Sequence, residues 1–193
     1  MKLFGRLRGG IETQRLFLRR WEHKDFKAYI PIVSDPEVMT PAGCQPAGTL
    51  EAASAMFARD LHNDLCYAIV LRETEEVIGR IKLQSDLRRF HVNRLSVGYE
   101  LRRDLWGRGY MTEALAAMVT FAFEKKKVDV LAASHYAENE RSRRVIEKCG
   151  VKPVGVVPLA CKLFVGKICD DVFYSILRED YIYGLGTNLQ DQL

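Results

Sequence analysis

The stretch that most restricts the fold of this chain is Leu105 to Lys125. It opens Leu105-Trp106-Gly107-Arg108-Gly109-Tyr110-Met111-Thr112-Glu113-Ala114-Leu115 and stays mostly apolar through Phe123. Two glycines around an arginine form helix poorly, whereas the run from Tyr110 onward is strong helix material. Gly107 and Gly109 are therefore expected in a tight turn that opens a helix. The first backbone N–H groups of a helix lack partners within it. Such a turn can present them to a phosphate, with the helix dipole and the charge of Arg108 adding attraction. The same residues would also serve as an ordinary turn, with Arg108 in solvent. No Gly-Lys-Ser/Thr comes after the turn, which excludes a Walker loop. The missing third glycine, and the lack of a strand running straight into the turn, argue against a dinucleotide fingerprint. The helix is apolar on nearly every side, with Glu113, Thr120 and Glu124 as a narrow polar stripe, so it should be central and buried.

The rest of the chain reads as partners for that helix. Leu16 and Leu18 alternate with Phe17 and arginines, which predicts a strand over Thr13–Arg19. A helix should follow from about His23 to Val33 and end before Ser34-Asp35-Pro36. Thr40–Gly48 is loop, and Thr49 caps a helix over Glu51–His62. Cys66–Arg72 and Val77–Gln84 flank a polar turn and read as a hairpin. Arg88–Arg94 is polar and basic and should loop out. Leu95–Leu101 reads as a strand, where Gly98 predicts a bulge that exposes backbone. After the central helix come a strand at Val128–Ser134 and a helix capped by Asn139 and stopped by Gly150. Strands at Val151–Val157 and Val172–Leu177 finish the fold. Residues 1–10 read as a flexible basic arm without the apolar core of a signal peptide, and residues 183–193 as a polar, frayed tail. The order β-α-α-β-β-β-α-β-α-β-β predicts a mixed sheet with helices on both faces. The connection from Leu101 to Val128 should be a right-handed parallel crossover.

At 193 residues, 48% hydrophobic and 28% charged, the chain suits one domain with a sizeable core. A net charge of +4 favours anionic ligands without requiring nucleic acid, and no apolar run is long enough to span a membrane. Cys44, Cys66, Cys149, Cys161 and Cys169 are odd in number and include no Cys-x-x-Cys pair. That pattern fits a reduced, cytoplasmic compartment. The four histidines have no metal-ligand spacing, so no metal is expected.

Three segments together resemble the GNAT superfamily of acetyl-CoA-dependent N-acetyltransferases, most closely the branch of ribosomal-protein N-terminal acetyltransferases. They are Thr13-x-Arg15-Leu16-x-Leu18-Arg19; Gly98-Tyr99 with Trp106-Gly107-Arg108-Gly109-Tyr110-x-Thr112-Glu113-Ala114; and Asn139-x-x-Ser142-x-x-Val145-Ile146-Glu147-Lys148-x-Gly150. The resemblance implies one α/β (α+β) domain over residues 11–182, with a mostly antiparallel mixed sheet, a parallel crossover and helices on both faces. It implies acetyl-CoA as cofactor. Val97, Gly98 and Tyr99 would run along its pantetheine arm. Trp106, Gly107, Arg108, Gly109, Tyr110, Met111 and Thr112 would form the diphosphate turn, and Asn139 would contact the arm. The chain departs from the family at two points. Met111 stands where a small residue is usual and would crowd the turn, and Ser96 stands where many members of the branch carry a glutamate.

Transfer of an acetyl group to an amine requires an unprotonated amine, a donor for the carbonyl oxygen and a proton for the leaving thiolate. Ser142 lies three residues before Val145 and seven before Cys149, on the buried side of its helix, where its hydroxyl could return that proton or bond back to a carbonyl. Glu100 is the acid nearest the expected centre and the first candidate for a base, with His135 as rival. Asn139 is a cofactor contact or a plain cap. Arg143 and Arg144 would reach an adenosine phosphate or form a solvated face. The acceptor is a small-molecule amine or a protein N-terminus, and the sequence leaves monomer and homodimer open. A non-catalytic acyl-CoA sensor is the alternative, favoured by Met111 and Ser96. A nucleic-acid binder built on Arg88–Arg103 is opposed by the modest charge and the lack of interleaved aromatics.

Overall fold

The computed structural model describes residues 9–190, with side chains described through Gly184; most of the arm expected over residues 1–10 lies outside the described residues. The strands are β1 (Ile11–Glu12), β2 (Leu16–Arg20), β3 (Cys66–Leu71), β4 (Val77–Gln84), β5 (Arg94–Leu101), β6 (Val130–Tyr136), β7 (Lys152–Lys162) and β8 (Ile168–Leu177). The helices are α1 (Phe26–Val33), α2 (Pro36–Met39), α3 (Leu50–Leu61), α4 (Tyr110–Glu124), α5 (Glu140–Lys148) and α6 (Arg178–Gln190). All eight described strands form one sheet in the order β1-β2-β3-β4-β5-β6-β8-β7. β5 and β6 pair in parallel through the α4 crossover, and the other neighbours pair antiparallel.

The sheet separates two apolar cores. One gathers Leu16, Leu18, Ile78, Ile81 and Leu83 with α4, which buries Met111, Ala114, Leu115, Met118, Ala122 and Phe123. The other lies under α1–α3 and holds Trp21, Tyr29, Ile32, Met39, Phe57 and Cys66. Thr49 accepts a hydrogen bond from the Ala52 N–H and caps α3 as its sequence position implies. The strand alternation of β2 puts Leu16 and Leu18 in the core under α4 and Phe17 against the other core.

Four expectations need correction. First, the register of β4 and β5 is continuous from Gln84↔Ser96 to Gly79↔Leu101, so Gly98 is not a bulge; the register shift in this part of the sheet lies at Ile69/Val70 in β3. Second, β7 and β8 are longer than the apolar runs suggested, because ladder pairing carries the hairpin outward to Lys162↔Ile168 through exposed residues. Third, helix α6 continues to Gln190, past the end expected at residue 182 and through most of the predicted frayed tail. Fourth, a short helix, α2, forms at Pro36, where Asp35 caps the first turn, and a 3-10 turn occupies Thr40–Ala42 inside the expected loop.

Candidate active site

The site begins where two strands part. Parallel pairing of β5 with β6 stops at Ser96↔Ala132. Beyond it β5 stays with β4 to Leu101, and β6 stays with β8 to Tyr136↔Asp171. The Arg102 N–H donates to the Ile78 carbonyl at 2.9 Å, which makes that pair and every second pair along the ladder the hydrogen-bonded kind. Val97, Tyr99 and Leu101 therefore turn their N–H and C=O groups away from β4, toward the opening. Leu101 confirms the direction, since its carbonyl accepts from the Trp106 indole N–H at 2.9 Å. Strand backbone is thus presented to something other than a strand, by Val97 and Tyr99 and not by Gly98, whose own groups face β4.

A cleft of about 690 Å³ runs through this opening. On the α4 side it is lined by Gly107, Gly109, Tyr110, Met111 and Thr112. Gly107 and Gly109 take φ of 76° and 78°, the left-handed region that a side chain disfavours. Gly109 is the N-cap of α4, and no side chain closes the cap. The first-turn N–H groups are thus left for an outside acceptor. Met111 does not crowd the turn: its side chain is 6% exposed and belongs to the core beneath α4. Arg108 is exposed, and its carbonyl accepts from Arg15 at 3.0 Å.

The turn is held by the N-terminal segment. Glu113 accepts from the Thr13 hydroxyl at 2.6 Å, from the Arg15 N–H at 2.7 Å and from the Arg15 guanidinium at 2.7 Å. Burial alone would raise the Glu113 carboxyl, but these donors together hold it below its ordinary value. The Arg15 guanidinium also lies 4.5 Å from the centre of the Tyr110 ring. Two of the sequence motifs therefore meet in space as one latch.

The α5 side contributes Ser142, whose Oγ lies 2.8 Å from the Tyr99 hydroxyl. Either oxygen can donate. Burial raises the Tyr99 phenol above its ordinary range, so the pair keeps its protons at neutral pH. Asn139 is a cap: its Oδ1 accepts from the Ser142 N–H at 3.1 Å, while its Nδ2 donates to the Pro41 carbonyl at 3.0 Å and ties α5 to the turn at Thr40–Ala42. Arg141, Arg144 and Lys148 border the cleft, and Arg141 lies 4.1 Å over the Trp106 ring. Arg143 turns instead to Glu140 and Glu147.

Across the opening the walls are side chains. Glu100, 4% exposed, receives Arg80 Nε at 2.5 Å and Nη2 at 3.0 Å. Arg80 also donates to Asp60 at 2.6 Å and to the Tyr29 hydroxyl at 3.1 Å. Burial opposes the charge on Arg80, yet Glu100 and Asp60 raise its pKa, so the guanidinium stays charged. Both oxygens of Glu100 are thus occupied. His135 lies within β6, not after it, and its two ring nitrogens sit 2.8 Å from the Tyr136 carbonyl and 3.2 Å from the Tyr174 hydroxyl. Cys44 lines the cleft, but burial first and Glu100 second raise its thiol, which disfavours a thiolate nucleophile. Sequence reasoning missed Arg80, whose neighbours come from 20 residues away on either side and beyond, and Asp171, which sits just before the predicted start of its strand.

The arginines expected to form a basic patch are engaged within the fold. Arg88 pairs with Asp171, Arg89 with Asp86, Arg102 with Glu76 and Asp104, and Arg103 with Asp35. Among the described residues no group of three or more His, Cys, Asp or Glu side chains could hold a metal ion.

With this geometry in hand, comparison with known proteins is decisive about the class. The sequence profile of the Acetyltransferase (GNAT) domain matches residues 15–152, and the chain belongs to that family of acetyltransferases. It is 27% identical over 178 residues to the uncharacterized N-acetyltransferase p20 of Bacillus licheniformis, covering 89% of this chain and 97% of that protein. Over 92 residues it is 32% identical to the putative ribosomal N-acetyltransferase YdaF of Bacillus subtilis (strain 168), covering 47% and 49% of the two chains. The crystal structure of a GNAT-family acetyltransferase from Bacillus anthracis shares the fold, with a TM-score of 0.78 at 24% identity over 88% of this chain and 99% of that one.

Proposed function

We propose that this chain moves an acetyl group from acetyl-CoA to a primary amine by direct attack. The observation that carries the reading is the conjunction of the β5/β6 opening with an uncapped helix start at Gly107–Gly109. Acetyl-CoA would supply the acetyl group as an activated thioester. The N–H groups from Gly107 to Thr112 would hold its diphosphate, with Arg141, Arg144 and Lys148 bordering the cleft as positive charge and Arg108 exposed on the turn itself. Val97 and Tyr99 would pair with the amides of the pantetheine arm as a missing strand would, beside Trp106, while Gly98 between them keeps its backbone groups on β4 and leaves no side chain there. Asn139 shapes this region by fixing the start of α5.

The Tyr99–Ser142 pair would return a proton to the leaving thiolate, and its raised phenol makes it a donor rather than a base. Glu100 acts chiefly through Arg80, as a fixed charge behind the acceptor. With Glu100 and His135 both engaged, the reading favours an acceptor that needs little help in losing its proton. An α-amino group, with a pKa of about 7.7–8.0, meets that condition better than a lysine-like amine at about 10.4. A protein N-terminus or a weakly basic small amine is the acceptor class this supports. Five free cysteines support a reducing, cytoplasmic setting.

The test is thiol release from acetyl-CoA over a panel of amines and peptides. Release that depends on an amine supports the proposal. Heat on titration with acetyl-CoA, but no release with any amine, would instead establish the acyl-CoA sensor, a reading that the occupied Glu100 and the serine at position 96 favour.

A further inference from the structure

A second hollow of about 580 Å³ adjoins the cleft and shares Gln84, Val97, Ser134, Tyr136 and Asp171 with it. Register places Ser96, Ala132, Ser134 and Tyr136 on the same face of the sheet as Asp171 and Phe173. This is the face of Gln84, Gly98 and Glu100, opposite the one that Val97, Tyr99 and α4 share. The hollow therefore reaches the β5/β6 opening from the side away from the proposed cofactor turn. Its far wall is apolar, made by Val154, Val156 and Val157 of β7 with Phe173 of β8.

Asp171 stands where hollow and cleft join. It is 7% exposed, and its buried Oδ1 has no hydrogen-bond partner within 3.5 Å among the described residues, although the Ser134 hydroxyl is near enough to favour the ionised carboxylate. Its Oδ2 accepts from Arg88 at 3.0 Å, and the Arg88 guanidinium lies 3.7 Å over the Phe173 ring. A buried carboxylate oxygen without a partner is costly unless something else supplies a donor. Burial raises the Asp171 carboxyl, although Ser134, Arg88 and His135 each favour its ionised form. A cation arriving at Oδ1 would complete the set.

We propose that this hollow is the acceptor subsite, that Asp171 receives the acceptor's ammonium group at the junction and takes its proton before the free amine attacks, and that the acceptor is a primary amine on an apolar body with no second positive charge. The last point rests on charge. Asp171 is the carboxylate of the hollow, and Arg88 and Arg89 line it as well. A polyamine would bring further cations against those arginines and find valines where it needs carboxylates. Of the loops at Thr40–Gly48 and Arg88–Arg94, the second supplies Arg88 and Arg89 to the hollow, whereas the first lines the adjoining cleft with Pro41, Ala42 and Cys44. The inference rests on the acetyl-transfer reading only in naming the occupant an acceptor.

The experiment is calorimetry on the full chain saturated with coenzyme A, titrated with 2-phenylethylamine and separately with spermidine. Wild type is compared with Asp171→Asn, which is isosteric, and with Val157→Trp, which pairs with Asp171 across the ladder and fills the hollow from an exposed position on the same face. The expected result is binding of 2-phenylethylamine to wild type, at least tenfold weaker binding in both variants, and at least tenfold weaker binding of spermidine to wild type. Coenzyme A affinity within twofold of wild type shows that each variant is folded. No heat with 2-phenylethylamine, an unchanged affinity in either variant, or spermidine binding as tightly would overturn the proposal. Absence of heat with coenzyme A itself would count against the acetyl-transfer reading alone, and the amine titrations would then decide the hollow on the uncomplexed chain.

Discussion

On the α4 side the cleft is made of main chain: a turn with two left-handed glycines, an open helix start, and strand amides released where β6 departs. On the opposite side it presents charged side chains, Glu100 and Asp171, held by partners drawn from distant parts of the sequence: Arg80 with Asp60 and Tyr29 behind Glu100, and Arg88 on Asp171. A wall of backbone can bind any ligand with the right diphosphate and amide spacing, and its shape depends on a few local residues. A wall of side chains sets what the second substrate must be, and it holds together only if every charge is matched. The first is suited to a cofactor used with any acceptor, the second to a particular one.

The contrast can be broken most forcefully at Arg80. Arg80→Met leaves two buried carboxylates without their partner and should cost about 3–5 kcal/mol of stability, read from urea unfolding. An effect below about 1 kcal/mol would mean that the side-chain wall is not held by its charges. Next in size is Tyr99→Phe, which removes the hydroxyl next to Ser142. It should lower kcat for acetyl transfer by about a hundredfold, within the range for loss of a general acid, with little change in the KM for acetyl-CoA. A proportionate loss in Kd for acetyl-CoA would recast Tyr99 as a binding residue only.

The backbone wall is sharpened by Gly109→Ala. Forcing a side chain into φ of 78° costs about 1–2 kcal/mol, and the added Cβ would stand 3.4 Å from Arg15 Nη2. Coenzyme A should bind about tenfold more weakly by calorimetry, while the affinity for an amine acceptor is unaffected. Glu113→Gln should have the smallest effect, about 1 kcal/mol at neutral pH, because Thr13 and Arg15 retain weaker bonds to the amide. Its pH dependence has a definite sign. Glu113 is held below its ordinary value, so its stabilisation is complete above about pH 4.3 and is lost as pH falls through the lowered value. Wild type and variant should therefore converge in acid, in thermal melts recorded from neutral to acidic pH.

The same contrast explains what could be read in advance. The backbone wall was legible because its causes are local. The spacing of Gly107 and Gly109, the apolar run behind them, Thr49 and Asn139 as caps and Gly150 as a stop each act within a few residues, and each appears where its position implies. The inward placement of Ser142 came from helical spacing alone. Gly98 was misread because a strand glycine does not reveal which way its backbone faces: its own groups pair with β4, and the departure of β6 exposes those of Val97 and Tyr99 instead. The side-chain wall was illegible for the opposite reason. Nothing near Arg80 announces Asp60 or Glu100, and Asp171 was hidden because β8 extends farther than its apolar run, by pairing with β6 and β7. Helix α6 was missed because its sequence, with two glycines and few apolar residues, carries little periodic signal.

The most direct measurement compares two ligands at single backbone amides. Chemical-shift mapping of the full chain with coenzyme A should move the N–H signals from Gly107 to Thr112 together with those of Val97 and Tyr99. Pantetheine, which lacks the diphosphate, should move Val97 and Tyr99 and leave the turn still. Equal shifts at the turn with both ligands, or none with coenzyme A, would contradict the account of this corner as the diphosphate grip.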